Sequence, residues 1–199
     1  MKKFELTNEF VTNMFGTKLF RIRALVEFGD VEAGELGGYV EKESNLGHDD
    51  NAWVYGDARV YDNALVYDNA RVYGDAQVSG DARVYGNARV YDNAWVYGNA
   101  QVSGDARVCG DARVCGNGDY AYAHGFGSVN RTTTFFRLKD GGVGVRCGCF
   151  YGTLAQFRDK IRETHGETKK AQEYLMLADL MELRFEEDEN EVGNRKYVE

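Results

Sequence analysis

A period of six governs the middle of this chain. Alanine stands at positions 52, 58, 64, 70, 76, 82, 88, 94, 100, 106 and 112, with a valine two residues after each. Eleven units of Ala-x-Val-x-[Gly/Asp]-[Asp/Asn] thus follow one another without an insertion. Side chains alternate across a strand, so the Ala and Val of one unit share a face. The pair at the unit's end then turns the chain, because Gly, Asp and Asn enter the positive-φ region at least cost. A short side and a corner, repeated three times, close a triangular coil of 18 residues with Val and Ala inside. The expected body is a parallel β-helix over residues 51–130, with nearly four regular coils about 15–20 Å tall at roughly 4.7–4.9 Å per layer. Gly118 and Tyr120 read as a degenerate twelfth unit, and His124 and Phe126 stay in phase as a thirteenth.

Composition agrees. The 199 residues include no proline but 24 glycines and 13 tyrosines, as suits corners made from Gly, Asp and Asn. The formal charge of −8 argues against direct nucleic-acid binding, which rests on Lys and Arg meeting phosphates. Acidic mimicry of nucleic acid stays open. Met1-Lys2-Lys3-Phe4-Glu5 opens no apolar stretch of signal-peptide length, and no segment reaches membrane-spanning length. Cys109, Cys115, Cys147 and Cys149 form no secreted disulfide framework, so a cytoplasmic location with reduced thiols is expected.

Neighbours in adjacent coils lie 18 residues apart, which sorts the outward positions into three sides. Side one carries Trp53, Arg71, Arg89 and Arg107 beside Tyr55, Tyr73, Tyr91 and Cys109. Side two carries Arg59, Gln77, Trp95 and Arg113, and side three Leu65, Arg83 and Gln101. Three arginines on adjacent layers repel unless anions intervene. Either corner residues such as Asp75, Asp92 and Asp105 neutralise them, or the column binds an anionic partner. Arg and Tyr together suit phosphates and stacked bases. Side one is therefore the candidate ligand- or partner-binding surface: Arg71, Arg89, Arg107, Tyr55, Tyr73, Tyr91 and Trp53. Columns of outward tyrosine on a thin core also predict a homotrimer.

Residues 1–50 read as an N-terminal strand, Leu19 to Leu25, followed by a glycine-rich cap with Gly34, Gly37 and Gly38. No Gly-Lys-[Ser/Thr] follows these glycines, so they do not read as a phosphate loop. Residues 131–199 read as an α+β module. Thr132 to Leu138 and Val143 to Phe150 flank Lys139-Asp140-Gly141-Gly142, a hairpin signal. Thr153-Leu154-Ala155-Gln156 is a capping box opening a helix that His165-Gly166 closes. A second helix spans about Glu167 to Arg184, and Phe185 to Asn190 reads as a solvated acidic tail.

The coils resemble the hexapeptide-repeat family, and that resemblance implies a left-handed β-helix, an exception to the right-handed crossover rule. The runs Phe28-Gly29-Asp30-Val31-Glu32-Ala33-Gly34-Glu35-Leu36-Gly37-Gly38-Tyr39-Val40, Asp50-Asn51-Ala52-Trp53-Val54-Tyr55 and Cys149-Phe150-Tyr151-Gly152-Thr153 are similar to phage and prophage hexapeptide-repeat proteins. This implies a viral or prophage origin and a place in the host cytoplasm. It brings no activity and no catalytic residue with it.

Many hexapeptide-repeat proteins are trimeric acyltransferases in which a histidine works beside a coenzyme A groove. Here the histidines are His48, His124 and His165, and no long loop interrupts the repeat to shape such a site. Four-ligand zinc binding would need Cys109 and Cys115, on different sides of the coil, to meet Cys147 and Cys149. No catalytic residue, metal site or cofactor is expected. The expected function is a non-enzymatic phage-type protein that sequesters an anionic small molecule, such as a nucleotide immune signal, or blocks a host defence protein. Acyl transfer from coenzyme A and a purely structural scaffold are the alternatives.

Overall fold

The computed structural model describes residues 2–127, 129 and 131–186. Glu187, Asp188, Glu189 and Asn190 of the expected acidic tail lie outside them. The repeat forms eleven two-residue strands: β4 (Trp53–Val54), β5 (Arg59–Val60), β6 (Leu65–Val66), β7 (Arg71–Val72), β8 (Gln77–Val78), β9 (Arg83–Val84), β10 (Arg89–Val90), β11 (Trp95–Val96), β12 (Gln101–Val102), β13 (Arg107–Val108) and β14 (Arg113–Val114). They stack in parallel as β4-β7-β10-β13, β5-β8-β11-β14 and β6-β9-β12. These are the three expected sides of a β-helix. Every Ala and Val of the repeat is buried and joins one continuous core.

The corners explain why the turn pair varies. The first corner residue has positive φ in the first ten units, whether it is Gly or one of Asp62, Asp68 and Asp92, while Gly116, where the chain leaves the coil, is extended. Each of those three aspartates sits above a glycine of the next coil and accepts its amide: Gly80 to Asp62 Oδ2 at 3.0 Å, Gly86 to Asp68 at 3.1 Å and Gly110 to Asp92 at 3.4 Å. The second corner residue makes its own ladder, Asn63 to Asp81 at 3.1 Å and Asn87 to Asp105 at 3.0 Å. Side-chain amide ladders of this kind reinforce stacked strands.

Hydrogen bonds flanking each strand pair run from an amide to a carbonyl 17 residues later, as in Trp53 to Ala70 and Arg89 to Ala106, and the parallel pair between them bonds in both directions. One end of the stack therefore presents mainly unpaired carbonyls and the other mainly unpaired amides, and each must be capped. Donors close the first end. Three antiparallel strands cross it, β1 (Phe4–Thr12), β2 (Lys18–Ala24) and β3 (Leu36–Val40), and β3 then pairs with β5 in parallel. Tyr39 N donates to Ala58 O, Asn45 Nδ2 to Ala64 O at 2.8 Å, and Lys3 Nζ to Ala52 O at 2.9 Å. Gly37 and Gly38 allow this approach, since an added Cβ would stand 2.6 Å from Val54 O or Ala58 O. Gly37 and Gly38 thus lie directly against the first coil.

Acceptors close the other end. Thr134 Oγ1 takes the Arg107 amide at 2.9 Å, Asn117 Oδ1 that of Gln101 at 2.8 Å, and Asp119 Oδ2 those of Cys115 and Gly116 at 2.9 and 3.0 Å. Residues Asn117–Asp119 form a short 3-10 turn. The chain then leaves the coil, so the expected thirteenth unit does not form. Instead β15 (Tyr120–Phe126) pairs antiparallel with β16 (Arg131–Arg137), followed by β17 (Val143–Cys147) and β18 (Phe150–Thr153). The apparent phase of His124 and Phe126 is overridden by pairing with β16, where Tyr120 faces Phe136. Helices α1 (Leu154–His165) and α2 (Lys169–Phe185) follow, with the expected capping box at Thr153 and Gln156. Strand β16 belongs to both cores: Phe136 packs into the coil, and Phe135, on the opposite face, packs against Phe157 of α1.

Lys3 offers a direct test of the donor-capped end. Its ammonium also reaches Asp50 O at 3.3 Å, and burial lowers its pKa from 10.5 to about 8 despite Asp50 and Asp49 nearby. Between those pH values the unfolded chain holds the proton that the folded chain loses, so stability rises with pH across that window and is flat below it. Chemical unfolding from pH 7 to 10.5 should show this rise in wild type relative to Lys3→Met. The variant should also be less stable at pH 7 by about 1–3 kcal/mol, because a buried carbonyl loses its donor.

Candidate functional site

Side one emerges as the sheet β4-β7-β10-β13, with Trp53, Arg71, Arg89 and Arg107 in register. Its members have different fates. Trp53 is fully buried, which corrects its expected place on a binding surface. The indole points outward from the coil but lies beneath the N-terminal lid, edge-on to Phe28 at 5.3 Å and Phe4 at 6.1 Å. It is the largest fully buried side chain of the core.

Arg71 is neutralised, though not by a corner aspartate. Its Nη1 meets Asp30 Oδ2 at 2.8 Å, while Tyr55 Oη donates to Asp30 Oδ1 at 3.0 Å. Desolvation alone would raise the Asp30 pKa, but the bonds from Tyr55 and Arg71 hold it below the usual carboxylate value. Burial, together with Asp30, pushes the Tyr55 phenol up to about 12. Asp30 thus removes both Arg71 and Tyr55 from the ligand-binding set.

Below them the character changes. Tyr73 stacks on Tyr91 with ring centroids 4.8 Å apart and planes within 4°. Tyr91 and Cys109 are buried, and burial raises the pKa of both, so neither is poised as a nucleophile. Arg89 is exposed and Arg107 half-buried, on adjacent layers. Among the described residues, no carboxylate lies within 4.0 Å of either. A third cation arrives from the C-terminal sheet: the Arg146 guanidinium of β17 stands 6.0 Å from the Tyr91 ring centroid. Arg89, Arg107 and Arg146 all act on the Tyr73–Tyr91–Cys109 column, with Asp92 as the acidic group nearby. Sequence reasoning missed Arg146 because nothing local tells where β17 docks.

The expected columns of exposed tyrosine are absent. Tyr61 and Tyr91 are buried, Tyr67 and Tyr85 stack on each other at 5.0 Å, and no tyrosine of the repeat ranks with the exposed large apolar residues. The histidines are engaged in the framework. His48 stacks on Phe4 at 4.5 Å, accepts the Lys3 amide at 3.2 Å and meets Glu43 at 2.9 Å. His124 pairs with Thr132 at 2.9 Å, and His165 stacks on Tyr174 at 5.9 Å. Among the described residues, no group of three or more His, Cys, Asp or Glu is arranged to hold a metal ion, and no helix is long and apolar enough to cross a membrane.

Residues 52–68, 58–74, 64–80, 76–92, 82–98, 88–104 and 100–116 match the YdcK beta solenoid repeat family. The coils are similar to that repeat. No curated protein matches the chain.

Trp53→Ala distinguishes a buried prop from a ligand contact. Losing this indole should cost about 3–5 kcal/mol in urea unfolding, the range for a fully buried large aromatic. Asp30→Ala, which breaks an exposed pair, should cost no more than about 1 kcal/mol.

Proposed function

We propose that this chain is a non-enzymatic binding protein of phage type that captures a phosphate-bearing anion in the host cytoplasm. The contact surface is Arg89, Arg107 and Arg146 beside the stacked Tyr73 and Tyr91. One observation carries the reading: Arg89 and Arg107 stand on adjacent layers with no carboxylate partner among the described residues, in a chain of formal charge −8. Their mutual repulsion is relieved by an anion between them, and guanidinium forks bind phosphate oxygens in pairs. The half-buried Tyr73 borders this cluster of cations. Phage origin and host location rest on the resemblance of the lid and coil sequences.

Acyl transfer draws no support from this geometry. All three histidines are held by framework contacts.

Isothermal calorimetry against pyrophosphate and a panel of linear and cyclic nucleotides tests the proposal. At least one should bind, with affinity falling as salt rises. Arg89→Ala should weaken that binding about ten- to hundredfold, equivalent to roughly 1.5–3 kcal/mol for charge-assisted bonds, and Arg146→Ala should weaken it comparably. Arg71→Ala should have little effect, since Asp30 already holds that side chain. Absence of binding to every probe, or equal affinity for wild type and Arg89→Ala, contradicts the proposal.

A further inference from the structure

Helix α2 is apolar on two faces. Ala171, Tyr174, Ala178, Met181 and Phe185 are buried in the core of the C-terminal module. Met176, Leu180 and Leu183 are 70%, 54% and 66% exposed. Their i, i+4, i+7 spacing aligns them in one stripe along the helix. Single exposed apolar residues are ordinary, whereas a contiguous stripe marks a contact surface.

The charges around the stripe identify what covers it. The first turn of α2 holds Lys169 and Lys170 and no acidic residue. The last turn holds Arg184 and Glu182, the latter paired with Arg158, while the C-cap is Glu186 and Glu187-Asp188-Glu189 follow in the sequence. A helix dipole disfavours cations at its N-terminus and anions at its C-terminus, yet α2 carries both. Among the described residues, neither lysine has an ion-pair partner. A second α2 laid antiparallel on the first brings each basic start to an acidic end and opposes the two dipoles.

The rim agrees with that orientation. Glu173 lies three residues before Met176 and Arg184 four after Leu180, so both border the stripe, where Glu173 Oε2 accepts the Gly127 amide at 2.9 Å and Arg184 Nη2 donates to Asn117 O at 3.3 Å, each leaving atoms for a second partner. With a two-fold axis between Ala178 and Asp179, Glu173 of one copy meets Arg184 of the other. On the opposite rim Asp179 and Glu182 are already neutralised by Arg158, at 2.8 and 2.7 Å. The chain's own residues 187–199 offer poor cover, with Val192, Tyr197 and Val198 their only large apolar side chains.

We propose that a second copy of this chain docks on the Met176–Leu180–Leu183 stripe, antiparallel, to form a two-fold dimer. Such an interface is isologous, each copy offering the same patch. Sedimentation equilibrium of the full chain at micromolar concentration should show a species of twice 22.4 kDa. Leu180→Lys should return it to 22.4 kDa with unchanged circular dichroism, raising the dissociation constant on the order of tenfold or more. Glu173→Arg and Arg184→Glu should each weaken the dimer, and the two together should restore it. A wild-type monomer, a trimer, or a dimer indifferent to Leu180→Lys would overturn the proposal. Failure of the double variant to recover would overturn its antiparallel register.

Discussion

The two ends of this solenoid expose different backbone groups, carbonyls predominating at one and amides at the other, and the rest of the molecule follows from that. Such a stack has a carbonyl-rich end and an amide-rich end, and each end is a triangle of several groups. An unpaired buried carbonyl or amide costs about 1–3 kcal/mol, so bare ends would threaten a thin prism of alanine and valine. The two flanking modules divide this work by chemistry. The N-terminal lid supplies the Lys3 ammonium, the Asn45 amide and the Tyr39 amide. The C-terminal side supplies the Thr134 hydroxyl, the Asn117 carbonyl and the Asp119 carboxylate.

Capping also fixes which outward residues stay outward. The lid that satisfies the first coil covers Trp53 and brings Asp30 to Arg71. The sheet that satisfies the last coil brings Arg146 to Tyr91. What remains between the caps is Arg89 and Arg107 with the Tyr73–Tyr91 stack. The candidate site is the uncovered middle of one face, and its composition was decided by its ends.

The body of the fold was legible in the sequence. An uninterrupted period of six dictates the inward Ala and Val, the positive-φ corners and the three stacked columns, because strand alternation and corner geometry are local. The reading faltered where partners are distant. Parity puts Trp53 outside, but parity cannot report that Phe4 and Phe28 close over it. Arg71 and Asp30 lie 41 residues apart in the chain, so the ion pair leaves no periodic trace. His124 and Phe126 keep the six-residue phase yet belong to a strand that pairs with β16, since an antiparallel partner offers a full ladder where the coil offers two residues. Asp62, Asp68 and Asp92 stand 18 residues before Gly80, Gly86 and Gly110, but the fold was needed to show that each aspartate accepts that glycine's amide.

The central claim is the assignment of each residue of the repeat to the inside or the outside, because the arginine register rests on it. Urea unfolding of a matched pair of variants tests it most directly. Val84 is fully buried in a middle coil, and Gln77 faces outward, accepting the Tyr61 hydroxyl at 3.2 Å. Val84→Asp should cost about 3 kcal/mol or more by burying a charge without a partner, and Gln77→Glu should change stability by less than about 1 kcal/mol. Equal losses for the two would contradict the account.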